Sequence, residues 1–397
     1  GNTFTQYSEY TINKDIANSF MNKGLSVYSE GADSLDDNIW ASVRPHSLKP
    51  KELDFIYKQD SIYNYRNSIE YLNEQDSIVN MIKWYNVLLT GITRINRPKG
   101  MTYYFGPLLI APRPFAVGGY RHALTGSVKK EWKNKKHLEA SYDVNYGFRN
   151  QDFKGDLKFN YLFDPMKYSS VFIKGGDNYA RLNTDESIEA TFSRSNFLRR
   201  LNFGFGGQHE ISNGLLLSAS TEFSSYNSIQ GLELAPWSSK LFGDLNIPQD
   251  FGGYNQLLLD VGLIYQPRMK YLITKYRKVS KGSDFPKFTL DYRKGIKPFF
   301  SSDVNYDLLT FGMNQDLKIG ALGTSKYRVF AGRFLNDREI RIADQKFFRR
   351  SDRFFFSNPL YTLQQLGPNI RTTKSYFQGH YIHQFNGAIM NKIPLIN

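Results

Sequence analysis

A two-residue alternation, held for about ten residues at a time, constrains this chain more than any other feature. From His137 to Gly147, Leu138, Ala140, Tyr142, Val144 and Tyr146 alternate with Glu139, Ser141, Asp143 and Asn145. Successive side chains of an extended strand point to opposite faces, so this segment is one strand with an apolar and a polar face. Leu157, Phe159, Tyr161 and Phe163 repeat the scheme opposite Asp156, Lys158 and Asn160, and the polar stretch 147–154 between them reads as a hairpin turn.

The pattern recurs along the chain. Leu201, Phe203 and Phe205 are followed by Leu215, Leu217, Ala219 and Phe223, then by Leu257, Leu259, Val261, Leu263 and Tyr265. Phe288, Leu290 and Tyr292 come next, then Phe311, Met313, Leu317, Ile319 and Ala321, and then Tyr327, Val329 and Ala331. Weaker strands are read at 169–174, 191–192 and 304–308, and an ambiguous one at 376–385, for on the order of 12–14 in all. Ten residues is about twice the usual soluble strand and matches a tilted membrane crossing. The second face is small and polar instead of charged, and Phe163, Tyr179, Tyr254, Tyr265, Tyr292 and Tyr327 fall near strand ends, where an interfacial aromatic girdle belongs. Glycine-rich turns at 175–177, 212–214, 252–253 and 323–325 fit hairpins, and 224–246 and 334–368 read as long exposed loops. In lipid every main-chain polar group needs a partner, so the sheet is expected to close. The expectation is an all-β fold: an antiparallel transmembrane β-barrel of about 12–16 strands.

Composition agrees once the two faces are averaged. The chain is 16% aromatic with a formal charge of +14 and no cysteine, which excludes disulfides, thiolate metal sites and cysteine catalysis. Its mean hydropathy of −0.48 is what an apolar wall and a polar interior average to. No run of 18 apolar residues is present, and the first residues carry no leader, so any signal peptide is expected to have been removed or left out. Residues 1–95 differ in pattern and are read as a partly helical, periplasmic N-terminal segment, with 96–397 as the barrel. Proline and an acid at 50–52 start one helix, with Leu53, Ile56 and Tyr57 at helical spacing; Ile78, Ile82, Tyr85 and Leu89 lie on one face of a second that stops at Gly91. Both are expected to pack on the main domain.

No motif survives as a catalytic or metal site. His380 and His383 have HxxH spacing, but on a strand i and i+3 face opposite ways, so they do not share an ion. The alternating glycines at 203–207 lack the spacing and following helix of a phosphate loop. No acid pair or nucleophile stands out, so the expectation is no enzyme, no catalytic residue, no cofactor and no metal. Lysines 129, 130, 133, 135 and 136 beside Trp132 read as a charged turn touching water or anionic headgroups in preference to a nucleic-acid site. The Phe/Arg-rich segment 347–356 is a loop folded over the barrel, an interfacial anchor or a docking surface.

Trp40, Arg44 and Pro45 in W-x-x-x-R-P, with Leu48, Glu52, Tyr57 and Asp60-Ser61 behind them, resemble an outer-membrane barrel family of Bacteroidota of unknown function. The stretch 285–295 is similar to its P-x-[FL]-T-L-x-Y-x-x-G strand, and 380–387 with 392–395 resembles its H-Y-x-x-x-F-x-G and K-I-P-L stretches. Gly118-Gly119-Tyr120-Arg121 is more distantly similar to the E-G-x-R of surface-antigen barrels related to outer-membrane assembly proteins, with Val117 where that pattern has its acid. The resemblance implies location in the outer membrane. It also implies a carboxypeptidase-regulatory-like domain ahead of the barrel and further strands after K-I-P-L, so the barrel is expected to be incomplete here. The expected role is a non-catalytic subunit of a cell-envelope assembly, secretion or uptake complex. Its expected partners are outer-membrane lipid, lipopolysaccharide and other outer-membrane or periplasmic proteins, and not nucleic acid. The alternatives are a passive pore, or a soluble basic all-β module for nucleic acid or anionic polysaccharide.

Overall fold

The computed structural model describes residues 26–27, 39, 42, 47–109, 112–113, 118–183, 194–233, 240, 243–351, 357–366 and 370–387. A short strand, β1 (Ser26–Val27), precedes two helices, α1 (Pro50–Asn67) and α2 (Ile69–Val79). Pro50 opens α1, and Lys49 and Glu52 satisfy each other's free groups across its first turn. The strands β2 (Ile92–Asn96), β3 (Met101–Phe105) and β4 (Pro112–Arg113) lead into β5 (Arg121–Glu131), β6 (His137–Gly147), β7 (Asp152–Asp164) and β8 (Ser169–Arg181). Next come β9 (Phe197–Ser212), β10 (Leu215–Asn227) and β11 (Tyr254–Tyr265), the hairpin β12 (Lys270–Thr274) and β13 (Arg277–Gly282), and β14 (Lys287–Gly295). The series ends with β15 (Asn305–Lys318), β16 (Thr324–Glu339), β17 (Lys346–Phe347), β18 (Arg371–Thr372) and β19 (Ser375–Gln384).

Fourteen of these strands form one sheet in the order β19-β16-β15-β14-β11-β10-β9-β8-β7-β6-β5-β3-β2, with β4 also on β5. Every pairing in it is antiparallel, so it is an up-and-down meander interrupted by two excursions. The two ends of the sheet differ. At one, β5 joins β6, β7 joins β8, β9 joins β10 and β15 joins β16 through turns as short as 213–214. At the other lie the long connections 182–196, 228–253 and 340–374. The sheet is not closed among the described residues: β2 and β19 are its two edges and do not pair with each other. The closure expected above is therefore not seen there.

The alternation in sequence becomes two faces in space. The register places Ile173 opposite Phe205, Phe203 opposite Phe223, Leu263 opposite Leu290 and Leu290 opposite Phe311, an apolar row running strand to strand. Its members Leu157, Phe159, Ile173, Phe203, Phe205, Leu290 and Phe311 are exposed. The other face, expected to be small and polar instead of charged, does carry charges: Asp143, Asp156, Lys174, Glu222, Asp260 and Arg293, paired in part as Lys174–Glu222 at 2.5 Å and Arg293–Asp260 at 2.6 Å. The buried apolar clusters are small and lie near the long-loop end, such as Leu258, Val304, Tyr306 and Phe334, and Leu198, Tyr226 and Tyr254.

Four expectations need correcting. First, α1 buries no residue, and α2 buries only Asp76, whose carboxylate holds Arg97 in the β2–β3 turn. Tyr57, Tyr63 and Tyr65 are left exposed, because the helix's apolar residues ring it instead of forming one stripe. Second, the helix read through Leu89 stops at Asn80, and Asn86–Thr90 forms a π-turn ended by Gly91 at φ 82°. Third, the sheet starts at Ile92, before the boundary read at residue 96. Fourth, β10 and β16 run several residues into the segments read as loops, and 191–192 lies outside the described residues.

The β12–β13 hairpin is clamped to the short-turn end by a buried ion pair. Lys278 and Glu210 are both buried and bonded to each other, Tyr271 donates to Glu210, and Lys278 lies 4.3 Å from the centre of the Tyr271 ring. Gly214 N–H closes the network at 3.0 Å from the Glu210 carboxylate. Removing one member strands a buried charge, whereas removing both does not. Lys278→Met is expected to weaken hairpin docking by about 3–5 kcal/mol, and adding Glu210→Gln to recover most of it. Amide-exchange protection across 270–282 checks both.

Candidate functional site

The excursion between β16 and β19 folds back onto the polar face. Its anchor is Asp344, 6% exposed, which accepts the Tyr306 hydroxyl at 2.9 Å. The Gln256 amide, turned so that both its atoms are satisfied, donates to the two Asp344 oxygens at 3.0 and 3.3 Å. Arg293 on β14 and Arg341 are the cations that face this carboxyl, Arg341 also lying over Tyr254, and the Tyr226 and Tyr254 rings complete the surround. Further along, His380 on β19 bonds through Nδ1 to the Pro359 carbonyl at 2.7 Å, and Arg328 on β16 donates to the Tyr361 hydroxyl at 2.7 Å while lying over its ring. Phe348 packs edge-on against Tyr376, and Phe347 is buried beneath Arg371. The segment thus contacts β11, β14, β15, β16 and β19.

These contacts decide the readings of this region. In the described part of the Phe/Arg segment, Phe347 and Arg350 are buried and Arg349 is exposed; 352–356 lies outside the described residues. The long stretch read as an exposed loop is an insert, because its Asp, Tyr and Pro groups find partners only on the polar face. His380 and His383 are separated as strand geometry requires: His383 bonds to Ser325 at 2.7 Å and to the Leu322 carbonyl at 2.9 Å, away from Pro359. Among the girdle candidates, Phe163 and Tyr265 are exposed at strand ends, but Tyr254 is buried and Tyr179 donates to Asp152 at 2.7 Å beside Arg121. Tyr292 and Tyr327 bond to Asp307 and Gln315. Exposed aromatics near the strand ends that were not read as girdle residues include Trp132 at the short-turn end and Phe148 and Phe153 at the other; only strand register reveals their positions. The lysine cluster does span a turn, 132–136, with Lys135 on Glu131 at 2.8 Å.

Two motifs read from resemblance land on this side of the sheet. Within 285–295, Thr289, Asp291 and Arg293 point to the polar face beneath the insert. Arg121 of the Gly-Gly-Tyr-Arg run is fully buried, bonded to Asn145 at 3.0 Å and to Asp152 at 2.5 Å. Gly147 makes room for it, since a Cβ there would sit 2.2 Å from the guanidinium. Of the Asp37–Pro45 stretch only Ile39 and Ser42 are described, and 392–395 is outside the described residues.

The arrangement is an up-and-down sheet with an apolar outer face and a polar face covered by its own insert. Residues 85–397 match the family model described as "Family of unknown function (DUF5686) C-terminal domain", and the chain belongs to that family. No curated protein matches. Among solved structures, the chain is similar to the crystal structure of BamA from Haemophilus ducreyi lacking POTRA domains 1–3, at 9% identity and a TM-score of 0.34. The match covers 60% of this chain and 42% of that one.

Burial raises the Asp344 carboxyl from 3.8 to about 6, against the opposing pull of Tyr306 and Arg293. Docking of the insert therefore favours the protonated acid. That contribution is complete below about pH 4 and is lost as pH rises through 6, a span worth about 3 kcal/mol. Limited proteolysis within 340–374 is expected to accelerate between pH 5 and 7.5, and Asp344→Asn to abolish most of that acceleration.

Proposed function

We propose that this chain is a non-catalytic outer-membrane β-barrel component whose lumen is occupied by its own 340–374 insert. One observation carries the reading: the row of exposed Leu, Ile and Phe side chains on one face of the sheet, backed by a polar face. In water that face would be a large unpaid apolar surface; in hydrocarbon it is the solvent-matched wall. Phe153 and Phe163 lie on the same face of β7, ten residues apart. At about 3.3 Å per residue and a tilt near 45°, they are about 23 Å apart along the membrane normal, close to the height of an outer-membrane apolar band. Short turns at one end and long connections at the other fit periplasmic and external sides respectively.

On this reading α1, α2 and the β12–β13 hairpin all stand at the periplasmic side, where α2 meets the β2–β3 turn. The exposed Tyr57, Tyr63 and Tyr65 of α1 then suit contact with another envelope protein, in an assembly, secretion or uptake complex. The insert's contacts with five strands favour an occluded barrel over a permanently open pore. Closure of the sheet is part of the proposal, since lipid leaves no partner for the outer edges of β2 and β19.

The protein is expected to fractionate with outer membrane, to need detergent for solubility and to migrate faster on gels when unheated; a chain soluble without detergent overturns the reading. Phe205→Arg is expected to cost about 2–4 kcal/mol of stability in liposomes, whereas Ser220→Asn on the polar face changes it by no more than about 0.5 kcal/mol. Urea unfolding midpoints check the pair. In planar bilayers, replacing 345–371 by a short Gly/Ser linker is expected to raise conductance severalfold.

A further inference from the structure

We infer that the gap between the insert and the sheet is a binding site for a sugar-sized ligand carrying a phosphate or carboxylate. A cavity of about 310 Å³ lies there, walled on one side by Lys346, Arg349 and Tyr361 of the insert and on the other by Tyr376, Gln378 and His380 of β19. That volume is at the lower end of ordinary small-molecule sites. Asp291 is the acidic residue in its lining, against the two permanent cations on the insert.

The hydrogen-bond directions point the same way. The Pro359 carbonyl only accepts, so His380 carries its proton on Nδ1 and leaves Nε2 to accept from the Gln378 amide. Both ring nitrogens of His380 are therefore engaged within the wall. Tyr361 accepts from Arg328 through its oxygen, which leaves its own O–H hydrogen to donate elsewhere. Arg349, an exposed residue, lines the cavity and has no hydrogen bond or ion pair to another described side chain. Arg349 and the Tyr361 hydroxyl thus present donors to one space whose lining also carries the Lys346 charge, a fork beside a neutral hydroxyl in a basic setting, which is the chemistry that takes an oxyanion. The Tyr361 and Tyr376 rings supply flat surfaces for the face of a sugar.

The inference rests on the insert lying against the polar face, not on the membrane assignment. Fractionation decides the latter and binding decides the former, so the two fail separately. Calorimetry on the detergent-solubilised full chain with glucose 1-phosphate, inorganic phosphate and glucose tests it. Glucose 1-phosphate is expected to bind one to one and at least tenfold more tightly than glucose, with inorganic phosphate between them. Arg349→Gln with Lys346→Gln should weaken glucose 1-phosphate at least tenfold, while Lys158→Gln, in a separate cavity on β6–β10, leaves it unchanged. Circular dichroism and a thermal melt report whether the variants fold. Should the double variant not fold, labelling of the wild-type protein by phenylglyoxal, read by mass spectrometry, replaces it: glucose 1-phosphate is expected to protect Arg349. A lipid-borne source is distinguished by vesicles containing a phosphorylated glycolipid, which would compete with glucose 1-phosphate. Equal affinity for glucose, insensitivity to the double variant or unprotected Arg349 overturns the inference.

Discussion

Everything in this structure depends on the antiparallel main-chain ladder and the two-faced sheet it imposes. Each strand satisfies its N–H and C=O groups sideways, and the pleat sends alternate side chains to opposite faces. Once Phe203, Phe205 and Phe311 share one face, Glu222, Asp260 and Arg293 must share the other. A sheet so divided buries little apolar surface within itself, and the buried clusters are accordingly small and confined to the loop end. On the proposed membrane reading, what stabilises such a chain is the match between each face and its own solvent.

The polar face sets up the second level of organisation. Polar groups on this face need partners, and the insert supplies several: Asp344 to Tyr306 and Gln256, Pro359 to His380, Tyr361 to Arg328. The same economy appears at the other end, where Glu210, Lys278 and Tyr271 hold the β12–β13 hairpin. In both places a buried charge is tolerable only because its neighbours complete it, so both excursions are specified more by polar pairing than by apolar packing. The raised carboxyl of Asp344 makes docking of the insert depend on protonation.

Several elements could be read directly from the residues. β6 and β7 alternate so cleanly that their faces and the turn between them needed no structure, and β14 was visible from Phe288 to Tyr292. The helix α1 was announced by Pro50 and Glu52. The packing of that helix was not, because spacing of Leu53, Ile56 and Tyr57 says that a surface is apolar, not what covers it. β2 and β3 escaped notice because five residues are too few to establish a period. At the candidate site, Asp291, Arg293 and His380 lay on recognisable strands, but Asp344, Tyr361 and Arg349 sit in a segment with no period at all.

By itself the sequence determined the strand length, the two faces and the basic, cysteine-free character of the chain, since these are local properties of consecutive residues. Which polar groups meet was decided only by tertiary structure. Asp344 and Tyr306 are 38 residues apart and Arg328 and Tyr361 are 33 apart. No alternation encodes such pairs. They exist because a 14-stranded meander brings β11, β14, β15, β16 and β19 side by side, and the long connection 340–374 folds across them.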